Sequence, residues 1–154
     1  MVESKNLIHE IVRKYNFEKE SLLPVLQEIV THNNFITDDD IVEIANTLDI
    51  SAAEIYGTAS FYSFLDTEKR GKYVIRICKS IVAVMKGKDE IMETIQDILH
   101  IKVGETSHDN MFTLLETNDI GWSDKEPSML INNKAYTELT SEKVTEIIKS
   151  YLNK

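Results

Sequence analysis

Cysteine, proline and glycine are scarce in this sequence, whose 154 residues include one cysteine, two prolines and five glycines. A lone cysteine forms no internal disulfide, and we therefore expect a cytoplasmic location. No apolar run approaches the roughly 18 residues of a transmembrane helix, so no membrane segment is predicted. The first residues also lack the basic-then-apolar pattern of a signal peptide. With a net charge of −9, the chain offers no basic face for a phosphate backbone, which argues against nucleic acid as a partner.

Helical periodicity fills the first part of the chain. Apolar residues recur at helical spacing over about residues 5–15, which predicts an amphipathic helix. A second helix is expected to begin at Ser21-Leu-Leu-Pro24, because proline is tolerated in a first turn. Thr37 and Ser51 are suitable N-caps for a third and a fourth helix. Four short helices with short connections predict a small helical bundle.

The periodicity changes after a polar segment that ends at Gly71, and we place a domain boundary there, between residues 1–70 and 71–154. Valine and isoleucine residues predict a strand over Tyr73–Cys78. The following pattern predicts a helix, a strand, a hairpin and a final helix (Lys88–Leu99, Met111–Glu116, Ser128–Ile131 turning at Asn132-Asn133-Lys134 into Ala135-Tyr136, and a helix capped by Thr140). The predicted fold class is α+β, with an N-terminal helical bundle before an α/β domain.

The only cysteine, Cys78, ends the first predicted strand, where the loop before the next helix commonly holds cofactors and redox groups. A reactive thiolate needs a nearby cation or helix N-terminus, and Lys79 and Lys86 are the candidate cations. Thioredoxin-type exchange would also need a second cysteine. We therefore favour a buried, unreactive thiol. The alternative is a thiol-based enzyme that the replacement Cys78→Ser would inactivate.

No histidine or aspartate motif predicts a metal site. The four histidines are scattered without ligand spacing, and we expect surface or capping roles for them (His9, His32, His100 and His108). The run Asp38-Asp39-Asp40 resembles the start of a calcium loop but lacks that motif's glycine and terminal glutamate. A place at the positive end of a helix dipole suits these aspartates better.

An aromatic run, Phe61-Tyr62-Ser63-Phe64, is expected to continue the fourth helix, with Tyr62 and Phe64 along it. Such runs mostly belong to a core. Because a lobe this small leaves apolar area to cover, we also expect part of the run to form contact surface.

Several longer motifs are shared with one protein family (Leu23-Pro24-Val-Leu-Gln27-Glu28-Ile29, Glu54-Ile-Tyr56-Gly57-Thr58-Ala59-Ser60-Phe61-Tyr62-Ser63-Phe64, Arg70-Gly71-Lys72-Tyr73-Val-Ile-Arg76-Ile-Cys78 and Gly104-Glu105-Thr106). Through them the whole chain resembles the 24 kDa-type subunit of NADH:quinone oxidoreductase. That subunit type also occurs in NAD-linked formate dehydrogenases and in electron-bifurcating hydrogenases and transhydrogenases. The resemblance implies that the α/β domain is thioredoxin-like.

Members of that family hold one [2Fe–2S] cluster with four cysteines. The resemblance places the first pair on Cys78 and Ala83, and the second pair on Asp119 and Ser123, shortly before Pro127. Only one thiolate is left, Ala83 has no donor atom, and oxygen ligands match an iron–sulfur centre poorly. We therefore expect four vestigial positions, with no cofactor, metal ion or catalytic residue on this chain.

Two large side chains flank the empty ligand positions in the sequence. We expect Met85 and Trp122 to fill the space that a cluster would occupy, because an unfilled void loses dispersion contacts.

The resemblance implies an accessory subunit of a cytoplasmic, flavin-based NAD(P)H oxidoreductase complex, of the electron-bifurcating transhydrogenase or hydrogenase type. Its partners would be the 51 kDa-type flavoprotein NADH-binding subunit and further iron–sulfur subunits, which would carry FMN, NAD(P) and the clusters. The chain would serve assembly, shielding or gating. The alternatives are an electron-transfer subunit whose [2Fe–2S] cluster has unusual ligands, and a stand-alone binding module of thioredoxin-like fold.

Overall fold

The computed structural model describes residues 2–62 and 64–153. The chain divides into two compact units, Met1–Lys69 and Arg70–Lys154. None of the helices among the described residues has the length and apolar character needed to cross a membrane.

The first unit contains four α-helices within its described residues: α1 (Val2–Lys14), α2 (Leu22–Asn33), α3 (Asp38–Leu48) and α4 (Ala52–Phe61). Their apolar faces share one core, in which the fully buried side chains include Val12, Leu26, Ile29, Ile44 and Ile55. A short 3-10 helix, Lys19–Ser21, precedes α2, so this helix begins one residue after the predicted start. Burial of the apolar stripes stabilises these short helices more than intrinsic propensity does.

The aromatic run departs from the predicted helix. The backbone of Tyr62 is extended, so α4 ends at Phe61 and neither Tyr62 nor Phe64 lies along it. Phe61 is 79% exposed and Phe64 is 47% exposed, so both are accessible, and the contact surface stays a prediction. The sequence pattern was wrong here because apolar spacing continues beyond the residue at which the backbone leaves the helix.

The N-terminus of α3 forms a capping box, which confirms the predicted roles of Thr37 and of the aspartate run. The Thr37 hydroxyl accepts the N–H of Asp40 at 3.0 Å, and the Asp40 carboxylate accepts the N–H of Thr37 at 2.9 Å. Asp40 is buried, whereas Asp38 and Asp39 are exposed in the first turn. Two N–H groups that the helix leaves unpaired thus find partners, and the carboxylates face the positive end of the dipole.

We expect Thr37→Ala to lower the free energy of unfolding by about 1 kcal/mol, because it removes the side-chain acceptor at this cap. Urea denaturation followed by circular dichroism measures the loss. Thr31→Ala is the matched control, since the Thr31 hydroxyl only donates to the Gln27 carbonyl of its own helix. Equal stability losses in both variants would contradict the capping role.

The second unit contains one sheet with strand order β2-β1-β3-β4, formed by β1 (Tyr73–Cys78), β2 (Phe112–Thr117), β3 (Met129–Ile131) and β4 (Lys134–Tyr136). Strand β1 pairs in parallel with β2 and antiparallel with β3, and β3 forms a hairpin with β4. Its α-helices within the described residues are α5 (Ile81–Met85), α6 (Lys88–Leu99) and α7 (Ser141–Leu152), and a 3-10 helix spans Ser123–Lys125. The predicted α+β class is therefore confirmed.

The core of this unit lies between the sheet and helices α6 and α7, and its fully buried members include Ile75, Ile95, Leu114, Val144 and Ile148. Gly71 enters β1 with no room for a side chain, because an added Cβ would lie 2.9 Å from the backbone of Phe112. Its N–H donates to the Thr113 hydroxyl at 2.7 Å. Close backbone approach thus explains the glycine two residues before the strand.

Candidate functional site

The carboxyl end of β1 presents Cys78 inside the second unit. Its side chain is fully buried, and its N–H donates to the carbonyl of Ser128 at 3.1 Å. On the other side, β1 and β2 place Cys78 beside Thr117. The backbone of Cys78 is therefore paired on both sides, and its thiol is buried in the interior of the unit.

Helix α5 follows Cys78 directly and carries the second vestigial position. The Ser80 hydroxyl caps it by accepting the N–H of Ala83 at 3.1 Å. Ala83 is buried, whereas the other apolar side chains of the helix are exposed (Ile81, Val82, Val84 and Met85). We call these four residues the α5 patch.

Met85 does not fill the space near the vestigial positions, so the prediction was wrong for this residue, whereas for Trp122, which is more than half buried, it stays a prediction. The side chain of Met85 is 82% exposed and that of Trp122 is 40% exposed. A five-residue helix turns only one narrow face inward, and the small side chain of Ala83 occupies that face. Lys125 lies over the Trp122 ring, with its Nζ 5.1 Å from the ring centroid.

The other two vestigial positions, Asp119 and Ser123, bind each other. The Ser123 hydroxyl donates to Asp119 Oδ2 at 2.6 Å, and the N–H of Gly121 donates to Oδ1 at 2.9 Å. Both side chains are exposed. The hydrogen bond from Ser123, followed by backbone N–H groups, holds the pKa of the Asp119 carboxyl below its usual value, although partial desolvation acts in the opposite direction.

In the metal-free protein, we expect Ser123→Ala to raise the pKa of Asp119 toward an ordinary value of about 3.9. The pKa of Asp119 is lower in the folded protein than in the unfolded chain. The hydrogen bond from Ser123 therefore stabilises the fold fully at pH values above the unfolded-state pKa. The stabilisation is lost as pH falls through the folded pKa. A carboxyl-carbon NMR titration measures the change, with Ser150→Ala on α7 as the control. A pKa that stays low in Ser123→Ala would contradict the assignment.

Glu126 is the residue of this region that the sequence patterns missed. Its side chain is 3% exposed, and neither carboxylate oxygen has a hydrogen-bond partner within the described part of the chain. One ligand atom each from Cys78, Asp119 and Glu126 lie within 4.8 Å of one another. Nothing in the local sequence marks Glu126, because the three residues come from separate segments that only the fold brings together.

The remaining sequence candidates lie outside this group. All four histidines are exposed, and His100 ends α6 in the left-handed conformation, which confirms its capping role. Lys86 Nζ donates to the backbone carbonyl of Asp124 at 3.1 Å, which ties the residue after α5 to the 3-10 helix that follows Trp122. Lys79 is exposed.

A mixed four-stranded sheet of this order, with a cysteine at the end of its central parallel strand, defines a thioredoxin-like protein. The chain belongs to the thioredoxin-like [2Fe-2S] ferredoxin family, whose match covers residues 8–152.

Individual relatives agree with that family. The chain is 32% identical over 149 residues to a subunit of the NADH-quinone oxidoreductase of Buchnera aphidicola subsp. Acyrthosiphon pisum, covering 97% of this chain and 92% of that protein. It is 34% identical over 141 residues to the alpha subunit of the NAD-reducing hydrogenase HoxS of Cupriavidus necator, covering 92% of this chain but only 23% of that protein.

Solved structures show the same fold. The air-oxidised NAD+-reducing [NiFe]-hydrogenase superposes with a TM-score of 0.77 at 22% identity, over 86% of this chain and 23% of the hydrogenase chain. Its H2-reduced state gives the same TM-score over 87% of this chain and 22% of the hydrogenase chain.

The residues present do not fit the [2Fe–2S] cluster that names the family. Such a cluster takes two protein ligands on each iron, usually thiolates. Here Cys78 supplies one sulfur, the Ala83 position supplies only a methyl group, and Asp119 and Ser123 are hydrogen-bonded to each other. These positions therefore offer one soft ligand where the cluster needs four.

Proposed function

We propose that the chain is an accessory subunit, without its own [2Fe–2S] cluster, of a cytoplasmic flavin-based NAD(P)H oxidoreductase complex. The complex is of the electron-bifurcating transhydrogenase or hydrogenase type. Residues 1–70 and 71–154 form its two domains. The chain docks on the flavoprotein subunit and serves assembly, shielding or gating, while FMN, NAD(P) and iron–sulfur clusters reside on partner subunits.

The observation that carries this proposal is the α5 patch, which presents apolar side chains at the loop beside the vestigial positions. Ile81 and Met85 are 79% and 82% exposed, and their spacing of four places them on the same side of the helix. Adjacent exposed apolar side chains of this size mark an interaction surface on a soluble domain. The patch lies on the same short helix as Ala83, one of the four vestigial positions.

The relatives supply the class of partner. They are subunits of an NADH-quinone oxidoreductase and of an NAD-reducing hydrogenase, so the fold recurs in enzymes that use NAD(H). We infer that a chain with this fold but without the four thiolates acts through an interface such as the α5 patch, since function resides in sites grafted on a fold. The chain alone is therefore not expected to catalyse a reaction.

A second candidate function is suggested by the ligand group of Cys78, Asp119 and Glu126, of which Cys78 and Glu126 are buried and Asp119 is exposed. Cys78, Asp119 and Glu126 provide three negatively charged ligand types within 4.8 Å of one another. An electron-transfer subunit with a [2Fe–2S] cluster on such unusual ligands would need these atoms to serve both irons. Three ligands, of which two are hard oxygens, satisfy that need poorly.

Anaerobic affinity purification of the tagged chain from native cells tests the docking proposal. We expect a flavin-containing protein to co-purify in stoichiometric amount. A chain that elutes alone, as a well-behaved monomer, would instead favour the stand-alone thioredoxin-like module. Loss of a measurable activity in Cys78→Ser, with docking intact, would favour the thiol-based enzyme.

A further inference from the structure

Three ligand atoms converge at the carboxyl end of β1. We propose that Cys78, Asp119 and Glu126 bind one divalent transition-metal ion of the zinc class, with the cysteine as thiolate and the acids as carboxylates. Their ligand atoms lie within 4.8 Å of one another. This inference departs from the sequence-based expectation of no metal, and it does not depend on the proposed docking function.

The unpartnered carboxylate of Glu126 is the strongest indication of a bound cation. Both of its oxygens are buried without a hydrogen-bond partner in the described residues, as is the hydroxyl of Ser128. Buried polar groups in native proteins almost always have a partner, and an unpaired buried carboxylate is especially unfavourable. A cation beside Cys78 and Asp119 supplies the partner that Glu126 lacks.

The ligand types select the ion. Zinc accepts cysteine sulfur at about 2.3 Å and carboxylate oxygen at about 2.1 Å, which separates tetrahedral ligands by roughly 3.6 Å. Small side-chain rotations therefore suffice to close the observed group around one ion. Magnesium and calcium prefer oxygen ligands alone, so the thiolate of Cys78 disfavours them.

The surroundings suit a site with one open coordination position. Cys78 and Glu126 are buried, whereas Asp119 is exposed and leaves the ion a route from solvent. The Ser123 hydroxyl and the Gly121 N–H both donate to the Asp119 carboxylate and orient it. In metal sites generally, hydrogen bonds to the ligating side chains fix their orientation in this way. Each carboxylate oxygen retains a lone pair for the ion.

Titration of the metal-free full-length chain with Co2+ tests the site, because a thiolate bound to cobalt gives intense near-ultraviolet charge-transfer absorption. We expect saturable binding of one ion per chain with that absorption, displacement by Zn2+, and no displacement by excess Mg2+. Cys78→Ser should abolish the absorption. Glu126→Gln and the exposed variant Asp119→Asn should each weaken binding at least about 10-fold.

Asp124→Asn is the matched control, since Asp124 is a neighbouring exposed acid that does not belong to the group. This replacement should leave the affinity for the metal ion unchanged. Asp119→Asn keeps the inference testable if the buried variant Glu126→Gln fails to fold. Absence of one-to-one binding, or a cobalt spectrum unchanged in Cys78→Ser, would overturn the site. An assay of acid-labile sulfide on the isolated chain distinguishes this proposal from the proposed function. Iron together with sulfide would refute the cluster-free subunit, whereas one bound ion without sulfide would support the metal site.

Discussion

The double variant Ile81→Glu, Met85→Glu is expected to bind the flavoprotein partner at least about 100-fold more weakly than the wild-type chain. Docking through the α5 patch would bury both introduced charges without a partner. These side chains are the most exposed of the α5 patch, so glutamate leaves the free chain folded. Ala83 and the cap at Ser80 are untouched. Isothermal titration calorimetry or surface plasmon resonance against the co-purified partner measures the loss, and circular dichroism verifies the fold.

Leu152→Glu is the matched control for this charge replacement. Leu152 is 50% exposed at the end of α7, and its neighbour Tyr151 packs against the ring of Tyr73 at 4.8 Å. Tyr73 begins β1, so Leu152 lies near the end of that strand opposite Cys78. We expect its replacement to leave affinity unchanged. Equal losses in the control and in the double variant, or none in the double variant, would contradict docking through the α5 patch.

Restoring the missing cysteines is expected to produce the second large effect. The variant Ala83→Cys, Asp119→Cys, Ser123→Cys retains Cys78 and so presents four thiolates at the vestigial positions. Reconstituted anaerobically with iron and sulfide, it should turn brown and hold about two irons per chain. The wild-type chain treated in the same way should carry no sulfide. Iron and sulfide assays and the reduced-state EPR signal measure the difference.

The double replacement Asp119→Cys, Ser123→Cys provides the control, because it leaves Ala83 without a donor atom. It offers three thiolates, and we expect a less stable cluster that is lost on gel filtration. A cluster in the wild-type chain would contradict the ligand argument. A colourless but folded four-cysteine variant would show that the second pair of positions is misplaced.

Long, regular elements followed from periodicity. The bounds of β1 and α6 are those predicted, Tyr73–Cys78 and Lys88–Leu99, because a run of β-branched residues and a wide apolar stripe mark these two elements. The caps at Thr37 and Thr140 also followed, since a hydroxyl before an acidic first turn satisfies the free N–H groups. Pattern and packing agree along the interior of these longer elements, whereas the end of α4 at Phe61 shows that the pattern does not fix where a helix stops.

Short elements, and groups of residues from distant parts of the chain, could not be predicted from the sequence pattern. Helix α5 has fewer than two turns, so its pattern has no period, and the exposure of Met85 could not be read from the sequence. The resemblance already placed Cys78 and Asp119 at one site, but the addition of Glu126 depends on how the end of β1, the loop after β2 and the approach to β3 meet. That proximity is a property of sheet order, which local patterns do not encode.

Acid-labile sulfide on the isolated, anaerobically prepared chain tests the central claim most directly. The account predicts no sulfide, whether or not a single divalent ion is bound, together with flavin and sulfide on the co-purified partner. About two sulfides and two irons on the chain itself would contradict the account and make the protein an electron relay.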